Sequence, residues 1–205
     1  WKTQVAESGS AAWARSMGVR MGSLERGSID LGAFGRGPRD SAAALRAAKQ
    51  SWTYEDGKRW LDRTLADPTR NKPASSSMDP AYVYQRAKLG LVETRIGDLS
   101  DPNNLIWADK VAMDPDKVVA LDTKFVTKPG EPKSLWEGTA PPFLYNENGR
   151  VAQELLKYKR VLEDPTNPVG RLRVITNTEK ARTFIEGYLR ELFGPGIDIQ
   201  VVVDP

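Results

Sequence analysis

With 205 residues, 40% hydrophobic and 28% charged, the chain has the make-up of one globular domain, or of one domain with an extension. It holds no cysteine and no histidine, which excludes disulfides, zinc ribbons, Cys nucleophiles, Ser-His-Asp hydrolysis and every His-based nuclease mechanism. Any chemistry must therefore use carboxylates, Lys, Arg, hydroxyls or a hard metal ion held by oxygen.

No apolar run approaches the roughly 20 residues of a membrane-spanning helix, so no membrane partner is expected. The first residues lack the layout of a secretory signal. A chain that starts at Trp1 rather than Met fits a piece of a longer polypeptide. The net charge is +3, a mild bias towards anionic partners. It is unevenly spread: residues 1–75 carry 13 Lys/Arg against 8 Asp/Glu, and the remaining 130 carry 17 against 19.

Residues 1–40, rich in Gly, Ser, Ala and Arg, read as weakly ordered or loosely helical. Helix formers dominate from Asp40 to Trp52. Thr53 opens a capping box into a second helix carrying Trp60, Leu61 and Leu65, which stops near Asp67-Pro68. Residues 68–78 read as a linker, which divides the chain into a basic helical extension (1–78) and a main domain (79–205). Trp1, Trp13, Trp52 and Trp60 lie among the basic residues; they could stack on bases, but filling a small helical core is the simpler role.

In the main domain, Asp79-Pro80 caps a helix expected to run through AYVYQRAKLGLVETR, faltering near Gly90. LIWADKVAM and KVVALDTKFV read as two strands of an antiparallel hairpin turning at Asp114-Pro115-Asp116. A Pro- and Gly-rich loop fills 128–149. A helix over RVAQELLKYKRVLED follows, and then the strand LRVIT. Thr176 and Glu179 predict a capping box for the last helix, whose apolar face is Ala181, Phe184, Ile185, Tyr188, Leu189 and Leu192. Gly194-Pro195 stops that helix, and IDIQVVV closes the domain. The order α-β-β-α-β-α-β implies an α/β (mixed α+β) fold, a mixed β-sheet flanked by helices on both faces.

Alternation along the second hairpin strand puts Val118, Ala120, Asp122 and Lys124 on one side, with Val119, Leu121, Thr123 and Phe125 on the other. An acid and a Lys inside an apolar strand need partners or a metal. The first hairpin strand brings Asp109 towards Asp122, and two adjacent carboxylates repel unless a cation lies between them. Without His or Cys, that cation is expected to be Mg²⁺ or Mn²⁺. The acid-x-Lys triplet alone says little, since Asp56-Gly57-Lys58 and Glu131-Pro132-Lys133 also match it. Only the Asp122 copy sits on an apolar strand paired to another acid. The competing reading is a structural ion pair at a strand end.

PNNLIWADKVAMDPDKVVALDTKFV resembles the catalytic hairpin of PD-(D/E)xK enzymes, and more narrowly that of the restriction-endonuclease-fold toxin domains of bacterial polymorphic toxins. Tyr84-Gln85, Gly90 and Glu93 match the family's opening helix, and the closing strand-helix-strand is similar, so the resemblance spans about 79–205. Lys110 departs from it, standing where Gly is common.

The resemblance implies a restriction-endonuclease-like core and metal-dependent hydrolysis of DNA, with RNA as the alternative and a non-catalytic binding module as the competing class. Asp109, Asp122 and the Thr123 carbonyl would hold the metal. Glu93, from the opening helix, would add an acid directly or through water. Lys124 would orient or deprotonate the attacking water, or stabilise charge. Gln153, with Lys157 less firmly, would contact phosphate or water. It further implies delivery by a secretion system into the cytoplasm of a target cell, as cargo of a larger secreted carrier polypeptide, and neutralisation by a cognate immunity protein.

Overall fold

The computed structural model of the chain describes Ala47, Lys49 and residues 51–205, all within one compact unit that spans residues 44–205. Expectations for residues 1–40, and for Trp1 and Trp13, lie outside the described residues. Ala47 and Lys49 are helical, as the helix formers around them predict.

Helix α1 (Tyr54–Ala66) starts at the capping box of Thr53 and Asp56 and ends before Asp67-Pro68. A short strand, β1 (Asn71–Pro73), lies in what reads as linker. Helix α2 (Pro80–Leu89) is capped by Asp79, whose side chain accepts from the Ala81 N–H. It does not continue through Arg95 as predicted. Gly90 closes it at φ 96°, a conformation glycine adopts without steric cost. The chain then runs as strand β2 (Val92–Gly97), where Val92, Thr94 and Ile96 are β-branched at alternate positions.

The segment LIWADKVAM is also not one strand. It divides at Asp109 into β3 (Leu105–Ala108) and β4 (Lys110–Met113), which belong to different sheets. Strand β5 (Val118–Lys124) pairs antiparallel with β4, and the Asp114 N–H donates to the Lys117 carbonyl at the turn. After the long loop come helix α3 (Arg150–Glu163), strand β6 (Val169–Thr176), helix α4 (Glu179–Phe193) and strand β7 (Ile199–Val203). Helix α4 is capped by Thr178, not Thr176, and ends at Gly194. Thr176 completes β6 instead, its hydroxyl donating to the Lys124 carbonyl.

Two sheets result: β1-β2-β3, all antiparallel, and the mixed sheet β4-β5-β6-β7, parallel across β5-β6-β7. Helices α3 and α4 form the crossovers that parallel neighbours require. The alternation of β5 decides the layering. Val118 and Ala120 face a core shared with α3 and α4, including Leu155, Tyr158, Ile185 and Leu189. Val119 and Leu121 face the opposite side, against Tyr84 and Leu89 of α2. Helices therefore cover both faces, as expected. Each fully buried large apolar side chain contributes roughly 1.5–3 kcal/mol, so these two faces hold the fold together.

Elements before residue 79 share this architecture. Leu61 of α1 enters the main core, Trp60 packs against it, and β1 pairs with β2. Trp52 donates its indole N–H to the Pro165 carbonyl. Lys49 donates to the carbonyls of Val161, Asp164 and Asn167, satisfying acceptors that the end of α3 leaves open.

Candidate active site

The break between β3 and β4 and the end of β5 create the site. Asp109 occupies the one residue between the two sheets, where no ladder uses its backbone. Its Oδ2 accepts from the Thr123 N–H at 2.7 Å and from the Thr123 hydroxyl at 2.6 Å. That grip ties the break to the last turn of β5 and brings Asp109 to the neighbourhood of Asp122, as the hairpin predicts. Asp122 and Lys124 point inwards on the predicted face, 5% and 7% exposed.

Lys124 Nζ lies 2.9 Å from Asp122 Oδ2 and 2.9 Å from Glu154 Oε1 of α3. The Glu154 contact is an aligned hydrogen bond. The Asp122 Oδ2 contact is an ion pair, less well aligned than the bond to Glu154. Burial pushes the Asp122 carboxyl up to about 7; Lys124 opposes this, while the charges of Asp109 and Glu154 add to it. Burial also raises Asp109, against its Thr123 hydrogen bonds and Lys124, with Glu93 adding to the rise. Burial alone would lower Lys124, but Asp122 and Glu154 outweigh it and hold the ammonium protonated well above its ordinary range. Glu154 is held low because Lys124, Arg150 and Lys157 overcome its burial.

Glu93 is buried on β2, not on a helix. One register step after it, Thr94 pairs with Ala108, so Glu93 and Asp109 reach the same end of their strands. Both Glu93 oxygens are engaged: Gln85 donates to Oε1 at 3.0 Å and Lys72 lies 2.8 Å from Oε2. Arg95, two residues on, lies near the Trp107 ring. Gln153 is exposed and donates to the Glu147 carbonyl at 2.5 Å, so it turns towards the loop and makes no contact with the Asp122–Lys124 pair. Lys157 is half-buried, near enough for its charge to act on Glu154.

Two site residues escape the sequence reading. Glu154 is one position from Gln153 but on the inward face of α3, between Val151, Leu155 and Tyr158. An acid within that apolar stripe was the available signal. Tyr158, at i+4 from Glu154, is 1% exposed and its hydroxyl has no hydrogen-bond partner. Burial raises it far above its usual value, and the charges of Asp122, Asp109, Glu154 and Glu93 act on it from further off and add to this. The other acid-x-Lys copies have structural or surface settings: Asp56 caps α1, and Glu131 and Lys133 are exposed in the loop.

The profile of the family described as restriction endonuclease fold toxin 2 matches residues 80–193, more than half of the chain. The chain belongs to this family. No curated protein and no solved structure matches it. The matched span runs from the first residue of α2 to the last residue of α4, and so contains every member of the cluster around Lys124. Membership makes this a toxin domain of restriction-endonuclease fold, a family that points to nuclease activity on nucleic acid, and such folds typically use divalent metal ions.

Among the described residues, no three acidic side chains form a ready-made metal cage. The donors that are present nevertheless suit a hard cation. They are the carboxylates of Asp122, which is buried, and of Asp109, which is half-buried, both raised by burial. Mg²⁺ is ordinarily held by one or two carboxylates together with water and substrate phosphate, without a full protein cage.

Proposed function

We propose that this toxin domain is a metal-dependent endonuclease that hydrolyses phosphodiester bonds, with DNA as its substrate, in the cytoplasm of a target cell reached through a secretion system. A larger secreted polypeptide would carry it, and a cognate immunity protein would neutralise it. The observation that carries the reading is Lys124, a buried ammonium at the end of β5 held between Asp122 and Glu154 beside Asp109. Burying two ionisable groups, Asp122 and Lys124, at a strand end is costly, and apolar residues would serve stability better there. A catalytic cluster explains why that cost is tolerated.

In this reading Asp109, Asp122 and the Thr123 carbonyl hold Mg²⁺ or Mn²⁺. The bound ion would supply charge neutralisation at the phosphate and acidify a coordinated water. Glu93, with both oxygens engaged, acts from outside that shell by fixing the electrostatics around Asp109. Lys124, an ammonium held between Asp122 and Glu154, would stabilise charge on the phosphate, donate to the leaving oxygen or orient the attacking water. Glu154 positions Lys124, and Thr123 positions Asp109. Gln153 and Lys157, near the start of α3, are left for contacts with a longer substrate.

The test is cleavage of plasmid DNA and of total RNA by wild type, Asp122→Ala and Lys124→Ala, in Mg²⁺ and in EDTA. The reading expects plasmid cleavage that needs Mg²⁺ and both side chains. Cleavage of RNA alone would transfer the same site to an RNA substrate. Toxicity and binding untouched by Lys124→Ala would make the cluster a structural ion pair in a non-catalytic module.

A further inference from the structure

Beside Lys124 the long loop borders an open cavity of about 300 Å³, lined by Phe125 to Lys128 and by Glu131 to Trp136. Trp136 joins it to the cluster: the Lys124 ammonium lies 4.8 Å from the centre of the indole ring, and the same indole lines the cavity. Lys128 and Lys133 stand exposed on the rim; Glu131, also on the rim, lies 3.4 Å from Lys128.

The cavity is built rather than incidental. Asn177 clamps the segment that leads into it, accepting from the Val126 N–H and donating to the Val126 carbonyl. The buried Glu137 accepts from the Gly130 N–H and pairs with Lys180. The Tyr145 hydroxyl fixes the Leu135 carbonyl. Lys133 is the one described non-glycine residue in the left-handed region, at φ 74°. A Pro- and Gly-rich loop with no regular strand is thus held in one shape at its base, its middle and its far end.

We infer that this cavity is a subsite for one unpaired nucleobase adjoining the cleaved linkage, with Trp136 as the stacking surface and Lys128 and Lys133 flanking the sugar-phosphate chain. The inference rests on the nuclease reading and deepens it. The volume is at the lower limit of small-ligand sites, enough for a single base and too small for a base pair. Aromatic stacking accepts any base, while lysines follow the backbone. Trp136 both lines the cavity and lies against Lys124, so a base in the cavity would sit within about one nucleotide of the cluster. The substrate is therefore a single strand, or a nucleotide turned out of a duplex.

The test uses the full chain in Mg²⁺ and a short single-stranded oligonucleotide with one cleavable linkage, every other linkage being blocked. The strand is made in deoxy and ribo forms and offered with a base or an abasic residue on either side of that linkage. Wild type is expected to lose about tenfold or more in kcat/KM when one flanking base, on one side only, is removed. Trp136→Ala is expected to show that loss on the intact strand and no further loss on the abasic strand, while Trp136→Phe retains most activity. Equal abasic penalties in wild type and Trp136→Ala overturn the subsite, as does the absence of any penalty in wild type. If cleavage that Asp122→Asn abolishes carries no abasic penalty, the subsite alone falls. A wild-type chain inert on every strand overturns the nuclease reading together with it. The wild-type comparison stands even if a Trp136 variant fails to fold.

Discussion

Replacing Asp122 with Asn is expected to stabilise the metal-free chain while abolishing cleavage. The carboxyl stands at about 7 where an unburied one stands at 3.8. Keeping it ionised above pH 7 thus costs about 4 kcal/mol, at about 1.4 kcal/mol per tenfold. The amide removes that cost but must fit beside the Lys124 ammonium, a mismatch of about 1–2 kcal/mol. A net gain of about 2–3 kcal/mol corresponds to a Tm rise of roughly 5–10 °C for a chain of this size.

The direction with pH follows from proton binding. Between about pH 4 and 7 the folded wild type holds a proton that the unfolded chain has released, so its stability falls as pH rises through that window. The variant lacks this contribution. The assay is thermal unfolding of both proteins in EDTA from pH 4.5 to 8, repeated with Mg²⁺. Mg²⁺ is expected to raise the Tm of wild type and leave the variant unchanged. A variant that melts at or below wild type in EDTA at pH 8, with the same pH slope, would refute the claim that Asp122 is held ionised against its surroundings.

Three further outcomes check other parts of the structure. Glu154→Gln keeps a hydrogen-bond acceptor for Lys124 but removes its charge, so cleavage is expected to fall about tenfold or more with little change in Tm; unchanged kcat would exclude Glu154 as the residue that positions Lys124. Gly97 has φ 101°, and a Cβ there would lie 1.9 Å from the Asn104 carbonyl oxygen; Gly97→Ala is therefore expected to cost about 3 kcal/mol or more in urea unfolding, and a loss below 1 kcal/mol would mean that the β2–β3 connection relaxes freely. Burial would raise Asp114, but its hydrogen bonds to Arg173 and Arg171 outweigh it and hold the carboxyl low; that stability is present above about pH 4 and lost below it, so Asp114→Asn should cost about 2 kcal/mol at pH 7, with the gap to wild type closing towards pH 3.

The residues named at the end of β5 were legible because they depend on alternation alone. Once KVVALDTKFV is a strand, Asp122 and Lys124 must share the face of Val118 and Ala120, whatever else packs there. The hairpin turn and the capping positions Thr53, Asp79 and Gly194 were legible for the same reason, being local. Glu93 was misread because helix formers run up to it, and only the positive φ of Gly90 turns the chain into β2. Glu154 was missed beside Gln153 because one residue on a helix is a rotation of about 100°, and which rotation faces β5 is set by packing.

The sequence by itself determined the chemistry available here. Without His or Cys, any chemistry falls to carboxylates, Lys, Arg, hydroxyls or an oxygen-held cation, and one acid-x-Lys lies on an apolar strand. It also determined the membership that the matched span establishes. The tertiary structure alone decided how that centre is assembled. The break at Asp109 lets one side chain serve two sheets. Helix α3 brings Glu154 and Tyr158 in from about 30 residues further along the chain, and the loop places Trp136 over Lys124. Such contacts join residues distant in sequence, and their free energy comes from burial and charge pairing that no local pattern encodes.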